Sequence, residues 1–92
     1  MVLYEKIQSD MYTAMKAGEK EKASTLRTVI AKLKDKQIDA REPLSEKDEI
    51  KVLQTLVKQR KESIDLYQKG GRSELAEAES FELEIINTYL PE

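Results

Sequence analysis

The side chains of this sequence that can do chemistry are carboxylates, amines and guanidinium groups, because its 92 residues include neither His nor Cys. Without His the chain lacks the commonest general base and the commonest transition-metal ligand. Without Cys it has no thiolate nucleophile and no disulfide. A Ser-His-Asp catalytic set is therefore impossible. We predict no catalytic residue and no cofactor, and we do not expect the isolated chain to be an enzyme.

The most closely spaced carboxylates of interest are Glu79 and Glu82, which lie one helical turn apart near the C-terminal end. Metal sites in helical bundles combine such glutamates with Glu-x-x-His motifs, and this chain has none. We therefore predict no metal site. An ion pair with a basic residue on a neighbouring helix is the better interpretation of both glutamates.

The densest basic run is "KQRK", Lys58 to Lys61. Together with Lys51, Lys69 and Arg72 it forms a candidate flank for phosphate contacts. A charged run on a helix is more often a solvated face, and both interpretations stay open. The candidate nucleic-acid-binding residues are Lys58, Arg60, Lys61, Lys69 and Arg72.

Charge is distributed unevenly along the chain. All 16 basic residues and 12 of the 18 acidic residues lie in residues 1–72, whereas the other six acidic residues lie in 73–92. A basic body with an acidic final segment is suited to an anionic partner on one face and a basic partner on another.

Helical periodicity runs through four segments, and the few Gly and Pro residues separate them. The pattern predicts helices over about 2–17, 20–40, 45–69 and 73–90, with Ser45 and Ser73 as N-caps. Gly18 is suited to a left-handed helix end, and Pro43 disfavours helix in the residue before it. We predict an all-α fold, one domain over residues 1–92, in which short turns make two antiparallel hairpins.

One residue breaks the apolar stripe of the third segment. Ile50, Leu53, Val57, Ile64 and Tyr67 recur at steps of three and four, and Arg60 stands among them. A buried guanidinium must be paired, and counting outward from the Gly70–Gly71 turn places Glu82 opposite it. We predict an ion pair of Arg60 with Glu79 or Glu82. The alternative is an outward Arg60 that binds phosphate with Lys58 and Lys61.

Three stretches resemble the GatB/YqeY family: "DMYTAMKAGEKEKASTLRTVIAKLKDKQID", "LVKQRKESIDLYQKGGRSELAEAE" and "EIINTYLP". The ordered set "TLR", "KQR..SI..Y.K.GR..LA..E" and "YLP" covers essentially the whole chain. The resemblance implies an all-helical protein similar to the tail of the B subunit of glutamine-dependent tRNA amidotransferase. In that enzyme the tail contacts the tRNA body, and the carbon–nitrogen ligase chemistry belongs to other domains.

The resemblance also sets the expected partners. We expect a non-catalytic module associated with tRNA or with an amidotransferase or tRNA-charging complex, and no DNA. The alternative is a protein–protein adaptor that docks through the acidic fourth helix. The family has a second helical lobe after "YLP", so this chain is expected to be a fragment or a naturally short member. Early charges argue against a signal peptide, and no apolar run reaches ~18 residues, so we expect a cytoplasmic protein without membrane contact.

Overall fold

Four helices make up the fold in the computed structural model, which describes residues 1–91. They are α1 (Val2–Lys16), α2 (Lys20–Ala40), α3 (Glu46–Lys69) and α4 (Ser73–Asn87). Helices α1 and α2 pack as one hairpin and α3 and α4 as another. Between the hairpins α2 packs mainly on α4 and also on α3, and α1 packs on α3. The prediction of an all-α fold built from two hairpins is confirmed. None of these helices is long and apolar enough to cross a membrane.

The helix ends follow local chemistry. The Oγ of Ser45 accepts a hydrogen bond from the Asp48 backbone N–H at 3.2 Å, so the predicted N-cap of α3 is confirmed. Gly18 (φ 75°) and Gly71 (φ 72°) adopt the left-handed backbone that the two hairpin turns require. At α4 the prediction was wrong by one position, because Ser73 is the first helical residue and Arg72 the N-cap, without a side-chain cap.

The core lies where the two hairpins meet, and every helix contributes to it. Its fully or nearly buried apolar residues are Ile7, Met11, Leu26, Val29, Leu33, Leu44, Leu53, Leu56, Val57 and Ile86. On α4 the buried positions do not follow the apolar residues of the sequence in full. Ala76 is buried, whereas Leu75 and Ala78 are exposed. At about 100° per residue Ala78 lies about 160° from Ala76, at the edge of the buried face, whereas Leu75 lies within about 20° of Ile86 but in the first turn of the helix.

One fully buried residue of the core is charged. Glu49, in the first turn of α3, has no exposed surface, and its carboxylate accepts hydrogen bonds from the backbone N–H groups of Tyr4 (2.7 Å) and Leu3 (3.3 Å). These N–H groups belong to the first turn of α1, where backbone N–H groups have no acceptor within the helix. Glu49 therefore caps α1 from another helix and fixes where α1 begins against α3.

Candidate functional site

Five lysines form a ridge along the outward face of α3. Lys47, Lys51, Lys58, Lys61 and Lys69 fall within an arc of about 80° at 100° per residue, on the side opposite buried Leu56. All five are exposed. At 1.5 Å per residue the ridge extends over roughly 33 Å. We call this surface the lysine ridge.

The lysine ridge carries little compensating charge. One acid, Asp65, lies within the same arc and forms an ion pair with Lys69 at 2.9 Å, with both side chains largely in solvent. A second, exposed Glu62, lies about 20° beyond its edge. Within residues 1–91 the other four ridge lysines make no ion pair within 4.0 Å. Such a row of free ammonium groups produces a local positive potential although the whole chain has a formal charge of −2.

The structure divides the residues that the sequence analysis grouped as phosphate ligands. Lys58, Lys61 and Lys69 lie together on the lysine ridge. Arg72 lies past the Gly70–Gly71 turn, exposed, and its backbone N–H donates to the carbonyl of Tyr67. Lys51, named with the basic flank, lies on the ridge as well, whereas Lys47 was missed because it stands apart from the consecutive run. Intervals of 4, 7 and 11 residues return to one helix face, and that signal finds the whole ridge.

Arg60 is placed differently from the lysines around it. Its side chain is 12% exposed and lies between α3 and α4, with Nη2 3.6 Å from Oε1 of Glu82. Nη1 donates a weak hydrogen bond to the carbonyl of Leu56 at 3.4 Å. The buried Nε has no hydrogen-bond partner among residues 1–91. No ion pair joins Arg60 to Glu79 in that part of the chain. The guanidinium of Arg60 therefore faces the carboxylate of Glu82, and this negative charge disfavours a phosphate bound to the same guanidinium.

The outward face of α4 is acidic. Glu74, Glu77 and Glu84 are exposed and lie on the side opposite buried Ile86. Phe81 stands among them with 43% of its surface exposed. We call these four residues the acidic stripe. Within residues 1–91 its glutamates make no ion pair within 4.0 Å.

A hydrogen bond between distant residues holds the end of α4 to α1. The hydroxyl of Tyr89 donates to Oδ2 of Asp10 at 2.6 Å, and Lys6 lies 3.5 Å from the same oxygen. They border a cleft of about 680 Å³ between α1, the start of α2 and α4. Three lysines and three acids line that cleft, so its charge is balanced. No group of three or more acidic side chains within residues 1–91 is arranged to hold a metal ion.

The environment of Tyr89 disfavours its ionised form. Burial first, and then the hydrogen bond to Asp10 and the carboxylate charge, raise the pKa of Tyr89 far above its usual value of 10.0. Since the pKa of Tyr89 is higher in the folded state than in the unfolded state, protonated Tyr89 stabilises the fold. This contribution to the free energy of unfolding is fully present below pH 10 and is lost as pH rises above 10 toward the folded-state pKa.

Alkaline titration is expected to show this difference. Tyr89 should ionise at clearly higher pH than a free tyrosine, as followed by tyrosinate absorbance while circular dichroism reports that the protein is folded. Tyr89→Phe should remove this late step. Tyr12→Phe, at an exposed position, is the control and should leave the late step in place. A late step that persists in Tyr89→Phe would contradict the placement of Tyr89.

Comparison with known proteins gives the family. A family model described as "Yqey-like protein" matches residues 4–92. The chain belongs to the YqeY-like family. The resemblance to GatB/YqeY sequences is thereby confirmed, and it covers all four helices.

Three fungal relatives of this YqeY-like chain are named "Altered inheritance of mitochondria protein 41, mitochondrial". The proteins of Eremothecium gossypii, Vanderwaltozyma polyspora and Lachancea thermotolerans are each 36% identical to it over 85 residues. The match covers 91% of this chain and 46% of each relative. The chain therefore spans about half the length of these relatives.

Proposed function

We propose that this YqeY-like chain is a non-catalytic helical module that binds RNA through the lysine ridge, with tRNA as the favoured ligand. The observation that carries the proposal is the ridge itself: five exposed lysines on one face of α3, four of them without an ion-pair partner within residues 1–91. Ammonium groups that neutralise phosphates release condensed counterions, which supplies most of the affinity of sequence-independent nucleic-acid binding.

The choice of tRNA rests on the resemblance to the amidotransferase tail, which contacts the tRNA body. A rigid helix that presents point charges to a phosphodiester backbone is suited to recognition of shape rather than of base sequence. An amidotransferase or another tRNA-charging complex is the expected setting for such a module. The cytoplasm, which the sequence analysis favoured, and the mitochondrion, in the names of the relatives, both contain tRNA.

Replacement of three ridge lysines is expected to weaken tRNA binding about tenfold or more. The variant carries Lys47→Gln, Lys58→Gln and Lys61→Gln, and labelled tRNA is titrated by fluorescence anisotropy at several salt concentrations. Each phosphate contact contributes about one unit to the dependence of log K on log salt, so the slope should fall by about two to three units.

The matched control removes the same charge elsewhere. Lys32, Lys34 and Lys36 are exposed on α2, with Lys32 and Lys36 on one side of that helix and Lys34 on the other. Their replacement by Gln changes the net charge equally but should leave the salt slope nearly unchanged. Equal losses in the two variants would show that net charge rather than the ridge is responsible. Absence of wild-type binding at low salt, or equal affinity for duplex DNA, would contradict the proposal.

The second candidate function is that of a protein–protein adaptor, and the acidic stripe favours it. Phe81 is a large exposed apolar group surrounded by charges, as are many anchor residues of protein interfaces. This function and RNA binding use different helices, and substitutions on α3 and α4 therefore separate them.

A further inference from the structure

We propose that two copies of this chain associate with α4 of one copy lying antiparallel on α3 of the other, so that the acidic stripe docks on the lysine ridge. Neither surface has a partner that neutralises it within residues 1–91, apart from the pair of Lys69 with Asp65. The inference goes beyond RNA binding and does not depend on it. The kind of partner is a second copy of the same chain.

The spacing of the charges is what selects a second copy. Lys51, Lys58 and Lys61 are separated by seven and three residues along α3. The glutamates of the acidic stripe are separated by three and seven residues along α4, which is the reverse order. Antiparallel helices run in opposite directions at the same rise per residue, so all three charges come into register at once. The resulting pairs are Lys61 with Glu74, Lys58 with Glu77, and Lys51 with Glu84.

The same register gives Phe81 a place in the contact. It falls opposite Gln54, between the positions of Lys51 and Lys58. The aliphatic stems of the two lysines can cover the ring, and their ammonium groups favour its face. Phe81 is 43% exposed in the single chain, and Gln54 is exposed as well. The contact therefore combines three ion pairs with one aromatic anchor.

The strength of the contact is expected to depend steeply on salt. Exposed ion pairs are individually weak. The screening length falls from about 30 Å at 0.01 M salt to about 3 Å at 1 M. Sedimentation velocity or light scattering across a concentration series should show a mass above that of the monomer at 0.01 M salt and the monomer at 1 M. A protein that stays monomeric at millimolar concentration and 0.01 M salt would overturn the proposal.

Charge reversal tests which surfaces meet. One variant replaces Lys51, Lys58 and Lys61 by Glu, and a second replaces the three glutamates of the acidic stripe by Lys. Each should self-associate at least about tenfold more weakly than the wild type, because attraction becomes repulsion. Mixing the two should restore association, since the reversed α3 of the first complements the reversed α4 of the second. Absence of complex in the mixture would overturn the antiparallel contact.

Two controls keep the result interpretable. Replacement of Lys32, Lys34 and Lys36 by Glu makes the same change in net charge as the α3 variant and should leave self-association within about twofold. Neutral variants with Gln at the reversed positions check the outcome if a reversed variant melts early. The stripe variants also separate this inference from RNA binding: the neutral α4 variant should lose self-association and still bind tRNA. Loss of both properties in that variant would contradict the separation of the two surfaces.

Discussion

Glu49→Ala is expected to lower the free energy of unfolding by about 2–4 kcal/mol. The carboxylate has no exposed surface and accepts hydrogen bonds from two backbone N–H groups of α1, at 2.7 and 3.3 Å. Its removal leaves two donors without an acceptor and opens space in the core, and each stranded buried donor costs about 1–3 kcal/mol. For a domain of this size the loss is a large fraction of a total stability of roughly 5–14 kcal/mol.

Chemical denaturation with two further variants tests the cause. Glu49→Gln keeps one carbonyl acceptor but presents an amide donor to the other N–H group. Its free energy of unfolding should therefore lie between those of the wild type and Glu49→Ala. Glu46→Ala removes an exposed acid from the same turn and should cost less than about 1 kcal/mol, because it affects only the helix dipole. A Glu49→Ala protein as stable as Glu46→Ala would show that Glu49 does not cap α1.

Arg60→Ala is expected to lower the free energy of unfolding by about 1–3 kcal/mol. The change removes a buried aliphatic stem and leaves the Glu82 carboxylate without its cation. The cost stays below that of a fully buried pair because the Glu82 side chain is 30% exposed and keeps contact with water. Thermal and denaturant melts measure the loss directly.

Arg60→Leu should cost less than Arg60→Ala. Leucine restores much of the lost volume, and the buried Nε, which has no hydrogen-bond partner within residues 1–91, disappears with the guanidinium. Combined with Glu82→Leu, the protein should come within about 1 kcal/mol of the wild type or exceed it, because apolar pairs often replace buried ion pairs without loss.

A double-mutant cycle identifies the partner of Arg60. The cycle with Glu82 should show a coupling energy of at least about 0.5 kcal/mol, whereas the cycle with Glu79 should be additive within about 0.3–0.5 kcal/mol. The structure places Glu82 3.6 Å from Arg60. Coupling to Glu79 instead would mean that α4 is rotated relative to the arrangement described here. A fully stable Arg60→Ala protein would favour the outward orientation considered in the sequence analysis.

The lysine ridge has consequences beyond RNA. If the same lysines bind phosphates and the acidic stripe of a second copy, tRNA and self-association compete for one surface. Added tRNA should then dissociate the self-associated protein. By thermodynamic linkage, self-association should weaken tRNA binding by the same factor. Net charge is positive over residues 1–72 and negative over 73–92, so each copy carries both a cationic and an anionic surface.

The sequence by itself determined the number and type of the elements and most of their ends. Ser45 caps α3, and Gly18 and Gly71 form the left-handed turns, because caps and turns depend on residues only a few positions apart. It also determined the family, whose model matches along all four helices. The lysine ridge was available from the sequence as well, since its spacing is a property of one helix. Its role in RNA binding stays a prediction.

Only the tertiary structure decided which distant residues meet. The capping of α1 by Glu49 spans 45 and 46 positions, and the Tyr89–Asp10 hydrogen bond spans 79. Such contacts depend on how far each helix is rotated about its own axis, and a step of one residue is about 100°. On α4 small residues and glutamates alternate with apolar ones, so the periodicity did not distinguish Ala76 from its neighbours as the buried position. Packing against α2 and α3 sets the rotation of α4 about its axis. This rotation places Glu82 opposite Arg60.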